Sequence, residues 1–283
     1  SPVAAAHRVC HRRSMRGFLI SAGVAPHHKS AAASTRCRPH RAAGLWRAGR
    51  PGASPRVPYR RRRFIRSRKI PDGMKNILVA NSKGGSGKTT VATNLAGYFA
   101  TLGARVVLSD LDRQQSAAQW VARRPAGAAT IYAQQLRAKD YETEPGWIVT
   151  DSPAGLREDK LTDAVKGADC IIVPIQPSAF DMGATLPFLR LLVAEKAVRK
   201  NKAFVGLVGM RVNARAHSAA RLAAFMAETG LPVITTLRNA QIYAQAAEQG
   251  LSLFDMKPAL AEQDLEQWLP LLNWVAEATA VAK

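Results

Sequence analysis

The stretch "NILVANSKGGSGKTTVATNLAGYFATLG", Asn76–Gly103, decides the fold. A short apolar run, then a glycine-rich turn, then apolar residues at helical spacing predict strand, loop and helix in that order. Gly84, Gly85 and Gly87, with Ser86 among them, let successive backbone N–H groups converge on phosphate oxygens. A helix starting near Thr89 adds its positive dipole end. Lys88 is then placed to reach the β and γ phosphates of a nucleotide and the Thr89 hydroxyl to ligate Mg²⁺, with Thr90 counted among the nucleotide-binding positions. A second lysine, Lys83, stands five residues before Lys88, on the other side of the turn.

Outward from this stretch the chain alternates between short β-branched runs and longer helical patterns, as βαβ units with a parallel sheet require. Strands are expected at Ile77–Asn81, Arg105–Asp110, Trp147–Asp151, Cys170–Ile175, Phe204–Met210 and Val233–Thr236, with a weaker one at Ala129–Ala133. Helices are expected at Thr89–Thr101, Ser116–Arg123, Lys160–Lys166, Gly183–Lys196, Ser218–Glu228 and Gln241–Gln249. Continuous apolar runs such as "CIIVPI" suit central strands buried on both faces. The fold class is therefore α/β, a mostly parallel twisted sheet flanked by helices, in one domain over residues 74–283.

Charge divides the chain at Met74. Of its 41 basic and 20 acidic residues, 18 and 1 precede Met74, so the net charge is +17 before that residue and +4 after it. Residues 1–73 lack apolar periodicity and are rich in Arg, Ala, Pro and Ser, a composition expected to stay disordered. Three origins fit it: a misassigned start ahead of Met74, a basic arm that holds nucleic acid, or an Arg-rich transit peptide. The high overall pI therefore says nothing about what the folded domain binds. Cys170 is the one cysteine after Met74, so no disulfide framework or cysteine metal site is expected there, in keeping with a reducing cytoplasm. No apolar run reaches the roughly 18 residues of a membrane helix.

Two acidic segments complete the pattern. In "VVLSDLDRQQSAAQW", Asp110 and Asp112 alternate along a strand end, so both can stand above the carboxyl edge of the sheet, where open α/β sheets bind ligands. The same pair could serve only to cap the next helix. In "GWIVTDSPAGL", apolar and β-branched residues lead to Asp151, the carboxylate expected to hold Mg²⁺ through water.

The pattern K-G-G-x-G-K-T from Lys83 to Thr89 resembles the deviant Walker A motif of the ParA/MinD family of P-loop ATPases. The resemblance covers Met74 to about Asp255 and implies ATP and Mg²⁺ as cofactors. It makes Lys83 the lysine that crosses an ATP-bound homodimer to touch the partner's phosphates, and Asp110 the group that orients or deprotonates the attacking water. Asp112, with Thr89 and Asp151, belongs near Mg²⁺; the family often has proline where Arg113 stands. Asp151–Gly155 resembles the second switch, and "GLVGMRVNARAHSAAR" occupies the place where relatives contact adenine, through Arg211 and Asn213.

Among relatives, nitrogenase-type iron proteins need a cysteine pair that Cys170 alone does not supply. MinD-type proteins end in a basic amphipathic helix, whereas the tail "AEQDLEQWLPLLNWVAEATAVAK" carries mainly acidic polar positions, so no membrane contact is expected. Pro270 is expected to interrupt that tail, which otherwise reads as a packed helix. What remains is the short partition type, expected in the bacterial cytoplasm on the nucleoid. Its partners would be nonspecific DNA and a small centromere-binding, ParB-like adaptor that stimulates hydrolysis. Lys196, Arg199, Lys200, Lys202 and Arg238 are candidate DNA contacts. The alternatives are a positioning ATPase for a non-DNA cargo and a nucleotide-binding scaffold or metabolic member of the same fold.

Overall fold

The computed structural model describes residues 73–133, 146–156 and 158–282. The expectations for the basic segment before Gly73 lie outside the described residues. Seven parallel strands form one sheet in the order β3-β2-β4-β1-β5-β6-β7. They are β1 (Met74–Val79), β2 (Val106–Asp110), β3 (Tyr132–Ala133), β4 (Gly146–Asp151), β5 (Cys170–Ile175), β6 (Phe204–Val212) and β7 (Val233–Arg238). The helices are α1 (Lys88–Thr101), α2 (Ser116–Ala122), α3 (Glu158–Lys166), α4 (Ala179–Ala194), α5 (Lys196–Arg199), α6 (His217–Glu228), α7 (Ile242–Glu248) and α8 (Pro258–Val281).

The alternation of side chains along the central strands divides the core into two layers. Ile77, Val79, Cys170 and Ile172 face a layer built with α1, α2, α7 and α8. Leu78, Ala80, Ile171 and Val173 face the other, built with α3, α4 and α6. Burial on both faces is the physical reason why these strands read as unbroken apolar runs. Val79 and Asp110 pair in register with Asp151 on the intervening β4, which brings the loops after β1, β2 and β4 to one point on the carboxyl edge.

The structure moves three expected features. The helix expected at Gly183–Lys196 starts earlier, because Ser178 caps it: the Ser178 Oγ accepts from the Asp181 N–H at 3.1 Å and donates to the Asp181 carboxylate at 2.6 Å. It ends at Ala194, where Glu195 turns extended, so the basic run forms the separate short helix α5. Pro270 does not interrupt α8, which runs through it. Trp268, Leu271, Leu272 and Val275 are buried against the first core layer around that proline, and their burial outweighs the roughly 3 kcal/mol that an interior proline costs. Among the described residues no helix is long and apolar enough to cross a membrane.

Candidate nucleotide-binding site

The glycine turn is braced from below. The Asn81 side-chain N–H donates to the Pro174 carbonyl at 2.8 Å and to the Thr185 hydroxyl at 3.0 Å, while its oxygen accepts from the Lys83 N–H at 3.0 Å. The Ser82 hydroxyl donates to the Ala184 carbonyl at 3.0 Å, and the Gln176 amide donates to the Gly85 carbonyl. The end of β5 and the first turns of α4 thus fix the loop's shape before any ligand binds. Gly87 closes the turn at φ 103°, a left-handed conformation that favours glycine; the nearest atom to a Cβ there, the Met210 Cε at 2.8 Å, is the movable end of a flexible side chain.

Lys88 opens α1 and is 7% exposed; its ammonium donates to the Lys83 carbonyl at 3.1 Å, curling across the loop. Burial lowers its pKa, and the carboxylates of Asp151 and Asp112 offset part of that. A buried cation beside a ring of backbone N–H groups is a site prepared for an anion.

The Thr89 hydroxyl donates to Asp151 Oδ2 at 2.7 Å, and Asp151 Oδ1 is buried without a hydrogen-bond partner. A hydroxyl beside an orphaned carboxylate oxygen is a hard-oxygen donor set, and it fits Mg²⁺, which takes one or two protein oxygens and completes its octahedron with phosphate and water. Burial pushes the Asp151 carboxyl up to about 7; Asp110 and Asp112 add to the rise, while the Thr89 bond and Lys88 oppose it. Because the unfolded value is about 3.9, the folded chain holds a proton there that the unfolded chain has released. Stability contributed by this group is thus full below pH about 4 and falls as pH rises toward 7. Urea unfolding of the metal-free protein across that range should show Asp151→Asn with a shallower decline than the unaltered chain; parallel curves would refute the assignment.

Asp110 and Asp112 separate into two duties. Asp110 is 2% exposed, and its oxygens accept from the N–H groups of Asp112 at 3.0 Å, Ala117 at 2.8 Å and Ala118 at 3.0 Å. It caps α2. Asp112 is half-buried on the wall of the cleft, where its Oδ1 accepts from the Gln114 N–H at 3.0 Å.

The cleft has a volume of about 910 Å³. Its floor is the loop and first turn, Gly84, Gly85, Gly87, Lys88, Thr89 and Thr90; its walls are Leu111–Gln114, Ser116, Pro153–Leu156, Lys160 and Arg211. Lys83 is half-buried and does not line it. Ser86 is 1% exposed with its hydroxyl unpartnered, so it shapes the loop from behind. The Gly155 N–H donates to the Ser82 carbonyl at 2.9 Å, tying the segment after β4 to the loop. Arg211 reaches the cleft from a left-handed position, φ 52°, but Asn213 does not: its side-chain oxygen accepts from the Arg215 N–H in the turn before α6. Sequence reasoning left out Arg113 and Lys160. Arg113 directly follows Asp112, which could have pointed to it, whereas nothing in the sequence marks Lys160.

A glycine turn between β1 and α1, a lysine in its mouth and a Thr–Asp pair beside it at the carboxyl edge of a parallel sheet define a P-loop nucleotide-binding protein. The family profile described as "CobQ/CobB/MinD/ParA nucleotide binding domain" matches residues 77–253, and the chain belongs to that family. It is 30% identical over 187 residues to the maintenance of carboxysome distribution protein A of Gloeobacter kilaueensis, covering 64% of this chain and 84% of that protein. It is 28% identical over 163 residues to the chromosome-partitioning ATPase Soj of Thermus thermophilus, covering 44% and 64%. Among solved structures, an McdA–ATP complex from Cyanothece superposes with a TM-score of 0.58 at 18% identity, over 75% of this chain and 99% of that one, a likeness of fold.

Proposed function

We propose that this chain is a Mg²⁺-dependent ATPase that works as a nucleotide switch in DNA segregation. ATP joins two copies into a dimer, the dimer holds nonspecific DNA, and hydrolysis stimulated by a small ParB-like adaptor releases it. The observation that carries this reading is the division of labour between the two lysines: Lys88 is buried in its own cleft while Lys83 stands outside it, free to serve a facing copy.

In this mechanism the loop N–H groups and Lys88 hold the β and γ phosphates, and Thr89 and Asp151 would hold Mg²⁺, which would supply positive charge against the charge developing in transfer. Asp112, half-exposed in the cleft, is the carboxylate placed to orient the attacking water. Asp110, occupied by three backbone donors, holds α2 and through it the position of Asp112. Arg211 serves the ribose or base end. The exposed Lys196, Arg199, Lys200 and Lys202, on and after α5, form a DNA-facing patch at the amino edge of the sheet, away from the cleft. Arg238 leaves that set, because it forks onto Asp264 at 2.8 and 2.7 Å.

The second reading keeps the switch and changes the cargo. Similarity to a carboxysome distribution protein supports a positioning ATPase at least as well as similarity to Soj supports partition. Binding to nonspecific duplex DNA, measured against salt with ATP, ADP or no nucleotide, tests the shared part. The full chain and a chain starting at Met74 should both bind tightest with ATP, and Lys83→Ala should lose the ATP-dependent component. Binding that ignores nucleotide, or that disappears without residues 1–73, would remove DNA from the proposal.

A further inference from the structure

Arg113, Lys160 and Arg211 line the cleft, are exposed, and are not accounted for by the phosphate loop. The ion pairs among the described residues use other groups: Arg124 with Asp255, Lys166 with Asp163 and Arg238 with Asp264. Of the cleft-lining residues whose side chains are described, Asp112 is the single carboxylate, beside these three cations and Lys88, with Asp151 buried next to Lys88. Such an excess of positive charge is self-repelling until a polyanion enters, and it favours the more highly charged of two competing anions.

The metal-holding atoms give the cleft a direction. Thr89 and Asp151 are the residues that would hold Mg²⁺ and so would mark the terminal-phosphate end, and Asp151 closes β4, which lies between β1 and β2. Arg113 follows β2, and Lys160 lies in α3, which follows β4. Both therefore stand on the terminal-phosphate side. Arg211 comes from β6, two strands from β1 on the opposite side of the loop.

We propose that Arg113 and Lys160 bind the terminal phosphate in cis, one from the segment after each of β2 and β4, and set a preference for nucleoside triphosphate over diphosphate. The inference rests on the nucleotide reading of the cleft.

The test is calorimetric affinity of the full chain for Mg-ATP and Mg-ADP, with Arg113→Ala, Arg113→Lys, Lys160→Ala and Arg211→Ala alongside. Arg113→Ala and Lys160→Ala should each weaken ATP about tenfold and ADP less than about twofold, as expected of one charge-assisted contact. Arg113→Lys should restore most of the ATP affinity, and Arg211→Ala should weaken both nucleotides alike. An unchanged ATP-to-ADP ratio in both alanine variants overturns the inference while leaving the nucleotide reading intact. If the unaltered chain binds neither nucleotide, both fall together.

Discussion

Lys88→Ala should lower ATP hydrolysis by on the order of 10²–10³-fold, the loss that follows removal of one preorganised donor from developing charge. The expectation comes from where the side chain stands: buried at the loop mouth, beside the Asp151 and Asp112 carboxylates, with one hydrogen bond to the Lys83 carbonyl. The fold should survive the change. The lost bond is worth about 1 kcal/mol, and removing a cation whose pKa burial already lowers gives part of that back. Steady-state ATPase assays beside thermal unfolding separate the two effects. Full activity in a well-folded variant would contradict the site; loss of folding would contradict the account of Lys88 as a ligand-binding rather than a structural residue.

The second large effect is on stability and lies away from the cleft. Arg124 and Asp255 pair at 3.0 Å with side chains only 6% and 5% exposed. The same guanidinium donates to the carbonyls of Ala129 and Gly250 and lies 5.0 Å over the Trp120 ring. Burial pushes the Asp255 carboxyl up, but the bonds from Arg124 and Ser252 outweigh it and hold the group below its ordinary range. Arg124→Met strands a buried carboxylate, at a cost of about 3–5 kcal/mol, which for a domain of this size lowers Tm by roughly 10 °C. Adding Asp255→Leu should recover part of the loss, because it removes the stranded charge but leaves the Ser252 N–H and hydroxyl without their acceptor. Because the folded pKa is depressed, the pair's contribution is present above the unfolded pKa and lost as pH falls through the folded one. Thermal unfolding of the single and double variants decides the matter: a single variant within 2–3 °C of the unaltered chain, an allowance set by about 1 kcal/mol, would show that the pair carries little.

The phosphate loop and the seven strands, the weakest of them at Ala129–Ala133, are legible in the sequence because local chemistry dictates them. The glycines, the lysine and the β-branched runs each need only their neighbours. The duty of Asp110 is not legible in the same way. Whether it meets water or the N–H groups of Ala117 and Ala118 depends on how the segment between Asp110 and α2 folds back, which no spacing specifies. The start of α4 is not read correctly from the sequence, which places it at Gly183, whereas Ser178 caps the helix by accepting from the Asp181 N–H. The Arg124–Asp255 pair spans 131 positions and exists only once α2 and the turn after α7 have packed. Lys160 becomes a cleft residue for a similar reason: it lies in α3, which follows β4 at the carboxyl edge.

The patch at α5 and the cleft lie at opposite ends of the strands. Along β5, Cys170–Ile175, that separation is about 20 Å at roughly 3.3 Å per residue. On the proposed reading, no side chain at the cleft needs to reshape the patch for ATP to govern DNA binding. Pairing two copies doubles the number of patches on one particle, and a tethered second contact meets DNA at high effective concentration. Nucleotide then controls avidity rather than affinity: each copy keeps the same weak grip, and the off-switch is the loss of a companion.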